Sequence, residues 1–174
     1  MSPICFEFFF QITLSELKKS LFLLDKHIEN MFSKACEYAI RATIFIAKES
    51  MKGKRSNLTE ISKAITSPIA FTAKILQTLV KHKIIFSIKG ARGGFEMLPQ
   101  TINTLSLKHL VVVIDDDYST TACIIGLNKC SSENPCPLHE QYESIRTDLS
   151  KMLEETKIIQ LIEKESFKIG NHLF

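Results

Sequence analysis

The chain has 174 residues, 45% of them hydrophobic, which suits one domain or one small domain with an attached helical element. Its net charge of +3 is uneven: residues 31–100 hold 12 Lys or Arg and 4 acidic residues, giving +8, while residues 101–174 carry −4 and residues 1–30 carry −1. No apolar run reaches membrane-spanning length and no signal-peptide pattern is present, which excludes a membrane protein and predicts a reducing, cytoplasmic location.

Residues 1–30 are an N-terminal extension with no clear place in a compact domain. Phe6-Glu-Phe-Phe-Phe10 is followed by a loosely amphipathic run from Leu14 to Ile28, and Met31 resembles a natural start. We expect the extension to come from a misassigned start codon. The alternative is a real extra helix that packs on a dimer, and mass spectrometry of the native N-terminus separates the two.

The segment 31–117 has the pattern of a winged helix-turn-helix domain. A first helix is predicted over Ser33–Glu49, with Ser33 as its cap and an apolar stripe that includes Tyr38, Ala42 and Ile46. A short helix over Leu58–Ala64 follows, capped by Asn57 or Ser56. Ser67 and Pro68 suit the cap and first position of a second helix, Pro68–His82.

A basic hairpin is predicted after this helix pair. Ile84–Ile88 and Phe95–Leu98 read as two strands, joined by the turn Lys89–Gly94 with three glycines and two cations. The glycine spacing matches no phosphate-binding fingerprint, and a strand rather than a helix follows it. The hairpin is therefore interpreted as a wing that lies on DNA, and the alternative is a plain turn with solvated charges.

A further helix, Leu107–Asp115 with Ser106 as cap, precedes a loop rich in cysteine, 118–136. Cys123, Cys130 and Cys136 fall within fourteen residues, and His139 follows three residues after the last. Thiolates and an imidazole at one point can bind an iron–sulfur cluster or zinc. The alternative is three ordinary cysteines in a loop.

The last predicted element is a long helix, 137–164, before a short tail, 165–174. Its apolar residues recur at helical spacing, which suits a partner helix and predicts dimerisation; the alternative is a helix folded back on its own domain. The expected fold is mainly α with a small β-hairpin wing, in which a winged helix-turn-helix domain is joined to a long dimerisation helix.

These features together resemble the Rrf-two family of bacterial transcription regulators, the group of IscR, NsrR and CymR, from Met31 to about Ile162. The most specific pieces are Tyr38–Ala42, Lys89–Phe95 and the cysteine loop that ends in Cys136-Pro-Leu-His139. The resemblance implies a homodimer on a palindromic operator of double-stranded DNA. It also implies a [2Fe–2S] or [4Fe–4S] cluster on Cys123, Cys130 and Cys136. His139 is the favoured fourth ligand, and Glu37 from the partner subunit is the alternative.

The predicted function is a DNA-binding regulator, a repressor, that senses iron–sulfur, redox or nitric oxide status. Phe71, Thr72 and Lys74 are predicted nearest the DNA, with Lys89 and Arg92 at the wing. A metal-free thiol sensor or a zinc-bound regulator is the alternative. An enzyme is not expected, since His27, His82 and His109 lie in unrelated helical contexts and nothing pairs a base with an acid near Cys123.

Overall fold

The computed structural model describes residues 32–90, 92–116, 123, 125–127 and 130–163. The described chain is helical apart from one antiparallel hairpin, which confirms the predicted fold class. The N-terminal extension, the tail and much of the cysteine loop lie outside these residues. Within the described ranges, no helix is both long and apolar enough to cross a membrane.

The first helix, α1, runs over Lys34–Met51 and lies at the centre of the domain. Ser33 caps it as predicted, because its side-chain oxygen accepts a hydrogen bond from the Cys36 N–H at 3.1 Å. Asp115, the last residue of a later helix, accepts a bond of 2.8 Å from the Ser33 backbone N–H. The predicted apolar stripe is confirmed, since Ala39, Ala42 and Ile46 are fully buried.

Two helices form the helix-turn-helix. Helix α2 spans Leu58–Ala64, and Asn57 and Glu60 form a reciprocal capping box at its start. Helix α3 spans Ile69–Lys81, so the predicted helix Pro68–His82 is one residue too long at each end. Pro68 occupies the cap position that was predicted for Ser67. The Ser67 hydroxyl is buried and has no hydrogen-bond partner among the described residues.

The hairpin consists of β1, Phe86–Ile88, and β2, Gly94–Glu96, with Ser87 opposite Phe95. The predicted strands were longer: Ile84 and Ile85 are instead buried in the core just before β1. Ser56 extends the pairing, since it exchanges backbone hydrogen bonds of 3.1 and 2.8 Å with Phe95. Gly94 has φ +147°, and a Cβ there would lie 2.9 Å from the Ser56 carbonyl oxygen, so this position requires glycine.

Two helices follow the hairpin. Helix α4, Pro99–Thr104, was not predicted, because the sequence pattern gave no element between the end of the second strand at Leu98 and the cap Ser106. Proline is equally suited to the first turn of a helix, which is its position here. Helix α5, Leu107–Asp115, starts after its predicted cap Ser106, whose side chain accepts from the His109 N–H at 3.2 Å.

The predicted single helix 137–164 is wrong in one respect, because the structure divides it in two. Helix α6 covers His139–Glu155 and helix α7 covers Ile158–Glu163. Between them, the Thr156 carbonyl accepts from the Leu107 N–H at 2.8 Å and the Ile158 N–H donates to the Leu105 carbonyl at 3.0 Å. Ile158 is fully buried in the core, so α7 folds back on its own domain.

Candidate metal centre and nucleic-acid interface

Three cysteine side chains converge just before α6. The Sγ atoms of Cys123, Cys130 and Cys136 all lie within 4.8 Å of one another, and those of Cys123 and Cys136 are 3.7 Å apart. Cys136 is buried and the other two are half-buried. The sulfur atoms therefore form one compact donor set that is partly withdrawn from solvent.

His139 adds a nitrogen donor to this set. It is the first residue of α6, and its backbone N–H donates to the Cys136 carbonyl at 3.0 Å, which keeps the two residues in one tight turn. The ring Nδ1 lies 3.1 Å from the Cys130 Sγ, while Nε2 is 3.9 Å from a Glu143 carboxylate oxygen. The structure thus brings together all four residues that were expected as ligands.

Glu37, the alternative fourth ligand, lies in the first turn of α1. Its carboxylate forms ion pairs with Lys34 at 2.9 Å and with Arg41 at 3.9 Å, and its side chain is 12% exposed. The expectation placed Glu37 of a partner subunit at the cysteines, so a single chain leaves that alternative a prediction.

The local surroundings shift the thiol pKa values of Cys123 and Cys130 in opposite directions. A hydrogen bond from the Leu127 backbone lowers the pKa of the Cys123 thiol to about 7. Burial opposes this shift, and smaller contributions from the Ile125 backbone and from the neighbouring Cys130 and Cys136 thiols add to it. For Cys130, a bond from the Cys136 backbone lowers the pKa, but desolvation and the neighbouring thiols together raise it above its ordinary value. Of these two, Cys123 is therefore the thiol that more readily becomes a thiolate ligand near neutral pH.

Cys36, by contrast, lies apart from the cluster in α1 and is fully buried. Burial, reinforced by the Asp115 carboxylate, raises the pKa of its thiol to about 12. This cysteine is consequently a poor ligand and a poor nucleophile.

The donor set fits a thiolate-binding metal. On a tetrahedral ion with bonds of about 2.3 Å to sulfur, two thiolates lie about 3.8 Å apart. The 3.7 Å between Cys123 and Cys136 agrees with that spacing. An iron–sulfur cluster takes the same kinds of donor but distributes them over two or more iron atoms, so thiolates held by different iron atoms would have to lie farther apart than a pair held by one.

Two further residues of α6 line the same small cavity, and the sequence reasoning did not single them out for it. Tyr142 and Arg146 join the three cysteines and His139 around it. Positions 139, 142 and 146 are three and seven residues apart, so they lie on one face of the helix. The helical spacing of these residues was visible in the sequence, but the sequence did not show toward which part of the protein this face of the helix points.

The helix α3 presents a different surface from the one predicted. Thr72 was expected near DNA, but it is fully buried and its hydroxyl donates to the Pro68 carbonyl at 3.1 Å, so that prediction is wrong. Phe71 is half-buried, with its ring 5.8 Å from that of Tyr38 in an edge-on arrangement. Lys74 is exposed as predicted, and it shares the open face of α3 with Ala70 and Gln77.

The hairpin tip carries exposed cations in the predicted positions, Lys89 and Arg92. Arg55 fixes the tip against the body of the domain, a role that the sequence did not reveal. Its Nε donates to the Glu96 carboxylate at 2.6 Å, and its guanidinium also donates to the Arg92 carbonyl at 3.3 Å. The wing is thus held at its base while its two cations face solvent.

Comparison with known proteins agrees with this architecture. The family model Rrf2, described as an iron-dependent transcriptional regulator, matches residues 32–164. An HTH-type transcriptional regulator of Aquifex aeolicus is 28% identical over 146 residues, 83% of this chain and 96% of the relative. NsrR of Oceanobacillus iheyensis is 25% identical over 133 residues, 76% of this chain and 89% of the relative.

Solved structures share the fold at low sequence identity. CymR, described as the global cysteine regulator of B. subtilis, superposes with a TM-score of 0.63 at 16% identity, covering 75% of this chain and 95% of CymR. IscR of T. potens gives a TM-score of 0.59 at 14% identity, over 80% of this chain and 91% of that one. The matched family consists of regulators rather than enzymes, as expected. The chain therefore belongs to the Rrf2 family of helix-turn-helix transcriptional regulators.

Proposed function

We propose that the protein is a cytoplasmic, homodimeric repressor whose DNA binding responds to the state of the cysteine site. The observation that carries the proposal is the convergence of Cys123, Cys130, Cys136 and His139 in a chain of this family. A reducing compartment keeps such thiols available for a metal or cluster instead of a structural disulfide.

In this proposal, α3 enters the major groove and the wing contacts the backbone or minor groove. Lys74, Ala70 and Gln77 take the place of the buried Thr72 on the face that meets DNA, and Phe71 supports α3 from behind through Tyr38. Lys89 and Arg92 supply phosphate contacts. The net charge of +8 on residues 31–100 attracts DNA phosphates, whereas the C-terminal segment is acidic, so this face is favoured as the DNA-binding surface.

The dimer is supported by an apolar stripe on α6 and its N-terminal flank. Leu138, Ile145 and Met152 are 41%, 59% and 53% exposed and follow one another at intervals of seven residues. A heptad interval places them on one side of a helix, where an equivalent helix can cover them. A two-fold pair of such helices would present two α3 helices to a palindromic operator with half-sites about one DNA turn apart.

The cysteine site lies where it can influence the proposed pair of α6 helices. The cysteine loop connects the end of α5 to the start of α6, and His139 is itself the first residue of α6. Binding a [2Fe–2S] or [4Fe–4S] cluster, which supplies redox and nitric oxide chemistry, would tie the loop to the first turn of α6. Its loss would free that turn and alter the spacing of the two α3 helices.

The second candidate is zinc binding or direct thiol oxidation at the same residues. The closeness of all three sulfur atoms, which lie within 4.8 Å of one another, favours it, because a mononuclear site holds all its thiolates together and a sulfur–sulfur bond also needs close thiols. The description of the family as iron-dependent regulators favours the cluster. We take the cluster as the leading proposal and zinc as the alternative.

The test is the absorption spectrum, with iron, sulfide and zinc assays, of protein purified without oxygen. We expect visible charge-transfer bands with iron and sulfide, all lost in Cys130→Ala. Cys36→Ala is the matched control, because this cysteine is outside the site and should keep the colour. Zinc without sulfide, lost in the same variant, would establish the alternative, and equal iron in Cys130→Ala would contradict the proposed site.

A further inference from the structure

One side of the cavity at the cysteines carries a positive charge from a residue that is not among the four candidate ligands. Arg146 lines it together with Cys123, Cys130, Cys136, His139 and Tyr142. Arg146 lies seven residues after His139 on α6, so two helical turns bring its side chain to the same face. It is half-buried, whereas Lys151 further along α6 is exposed and borders a separate groove.

Tyr142 restricts where this charge can sit. The Arg146 guanidinium carbon is 5.6 Å from the centre of the Tyr142 ring, within the range of a cation–π contact. Tyr142 lies between His139 and Arg146 on the same face, and it too is half-buried. The ring therefore orients the guanidinium at the edge of the cavity and reduces its contact with water.

When the four donors bind a metal or a cluster, the site has an excess of negative charge that a nearby cation can offset. Three thiolates and a neutral imidazole around a divalent ion leave one net negative charge, and transfer of an electron to a cluster adds another. Net charge that is partly withdrawn from water is costly unless a cation lies close by. Arginine suits this position because its guanidinium stays protonated at every physiological pH.

We propose that Arg146 is the charge-compensating residue of the cysteine site, which strengthens metal or cluster binding without being a ligand. This inference rests on the proposed function, because it assumes that the thiols bind a metal. Since Arg146 is half-buried, its effect on the loaded state should exceed that of an exposed cation on the same helix.

The probe for this test is Co²⁺, added to the reduced, metal-free full-length protein in competition with a chelator. Thiolate-to-cobalt absorption reports occupancy, and it requires neither an operator nor a loaded native cofactor. Arg146→Gln removes the charge, while Arg146→Lys keeps it. Lys151→Gln removes an equal charge from an exposed position of α6 and serves as the matched control.

We expect Arg146→Gln to weaken Co²⁺ binding by about tenfold, which corresponds to a unit charge partly screened by water. Arg146→Lys should recover most of that loss, and Lys151→Gln should bind within about twofold of the wild type. A merely structural role would not be rescued by lysine, and thermal unfolding identifies a variant that has lost its fold.

Two results overturn the inference in different ways. Wild-type affinity in Arg146→Gln, with the Cys130→Ala variant unable to bind, would refute the role of Arg146 and leave the metal site standing. A wild-type protein that gives no thiolate-to-cobalt bands would refute the metal site itself, and the inference with it.

Discussion

Replacing both wing cations, Lys89→Ala with Arg92→Ala, tests whether the hairpin contacts DNA. Both side chains are exposed at the tip, while the base of the hairpin is held by the Arg55–Glu96 ion pair and by the backbone bonds of Ser56 to Phe95. The double substitution therefore removes two charges without removing a contact on which the hairpin depends. Exposed substitutions of this kind change folding stability by only about 0.5 kcal/mol.

The expected magnitude follows from counterion release. Each phosphate that a protein neutralises contributes about 0.9 to the slope of log affinity against log salt concentration. Two contacts per wing should therefore reduce the slope by about 1.8 for every wing engaged. Between about 50 and 200 mM salt, a fourfold change, one wing would account for about a tenfold difference in affinity.

Fluorescence anisotropy with a labelled duplex of arbitrary sequence measures this slope. No operator is needed, because the electrostatic contribution is independent of sequence. The control variant, Lys108→Ala with Lys151→Ala, removes the same charge from α5 and α6. We expect a lower slope in the wing variant alone. An equal slope in the wing variant and the wild type, or equal reductions in both variants, would refute the assignment of the hairpin as a DNA-contacting wing.

Two further predictions concern the helices after the cysteine site. Ile145→Glu places a charge on the exposed stripe of α6 and should convert a dimer to a monomer in sedimentation analysis. The control Thr147→Glu lies on the opposite side of the helix and should leave the dimer intact. A dimer in both variants would exclude the stripe as the interface. Ile158→Ala removes a fully buried side chain and should lower the free energy of unfolding in urea by about 2–4 kcal/mol. A loss near zero would mean that α7 is not packed in the core.

Local chemistry accounts for the parts of the fold that could be predicted. Caps are decided by a side chain and backbone groups within three residues, so Ser33, Asn57 and Ser106 marked helix starts correctly. The hairpin followed from β-rich residues around a glycine turn, although its strands proved shorter than predicted. Helical periodicity located α1, α3 and α5 because one apolar stripe per helix is readable without a partner.

Other features depended on contacts between distant parts of the chain. The break between α6 and α7 arises where Thr156 and Ile158 bond to the backbone of Leu107 and Leu105, and no proline or glycine at that point announces it. Thr72 is a polar residue on a helix, and only the packing of α3 on the core decided that it faces inward.

For this protein, the sequence by itself determined the family, most of the helices, the hairpin and the four residues that could bind a metal, because motifs and spacings are local. Only the tertiary structure decided which of them meet. It brought Cys123 to within 3.7 Å of Cys136 across thirteen residues of loop, and it turned the face of α6 that bears Arg146 toward the thiols. The direction of that face depends on how α6 packs against α5, and packing is a property of facing surfaces that a single stretch of sequence does not contain.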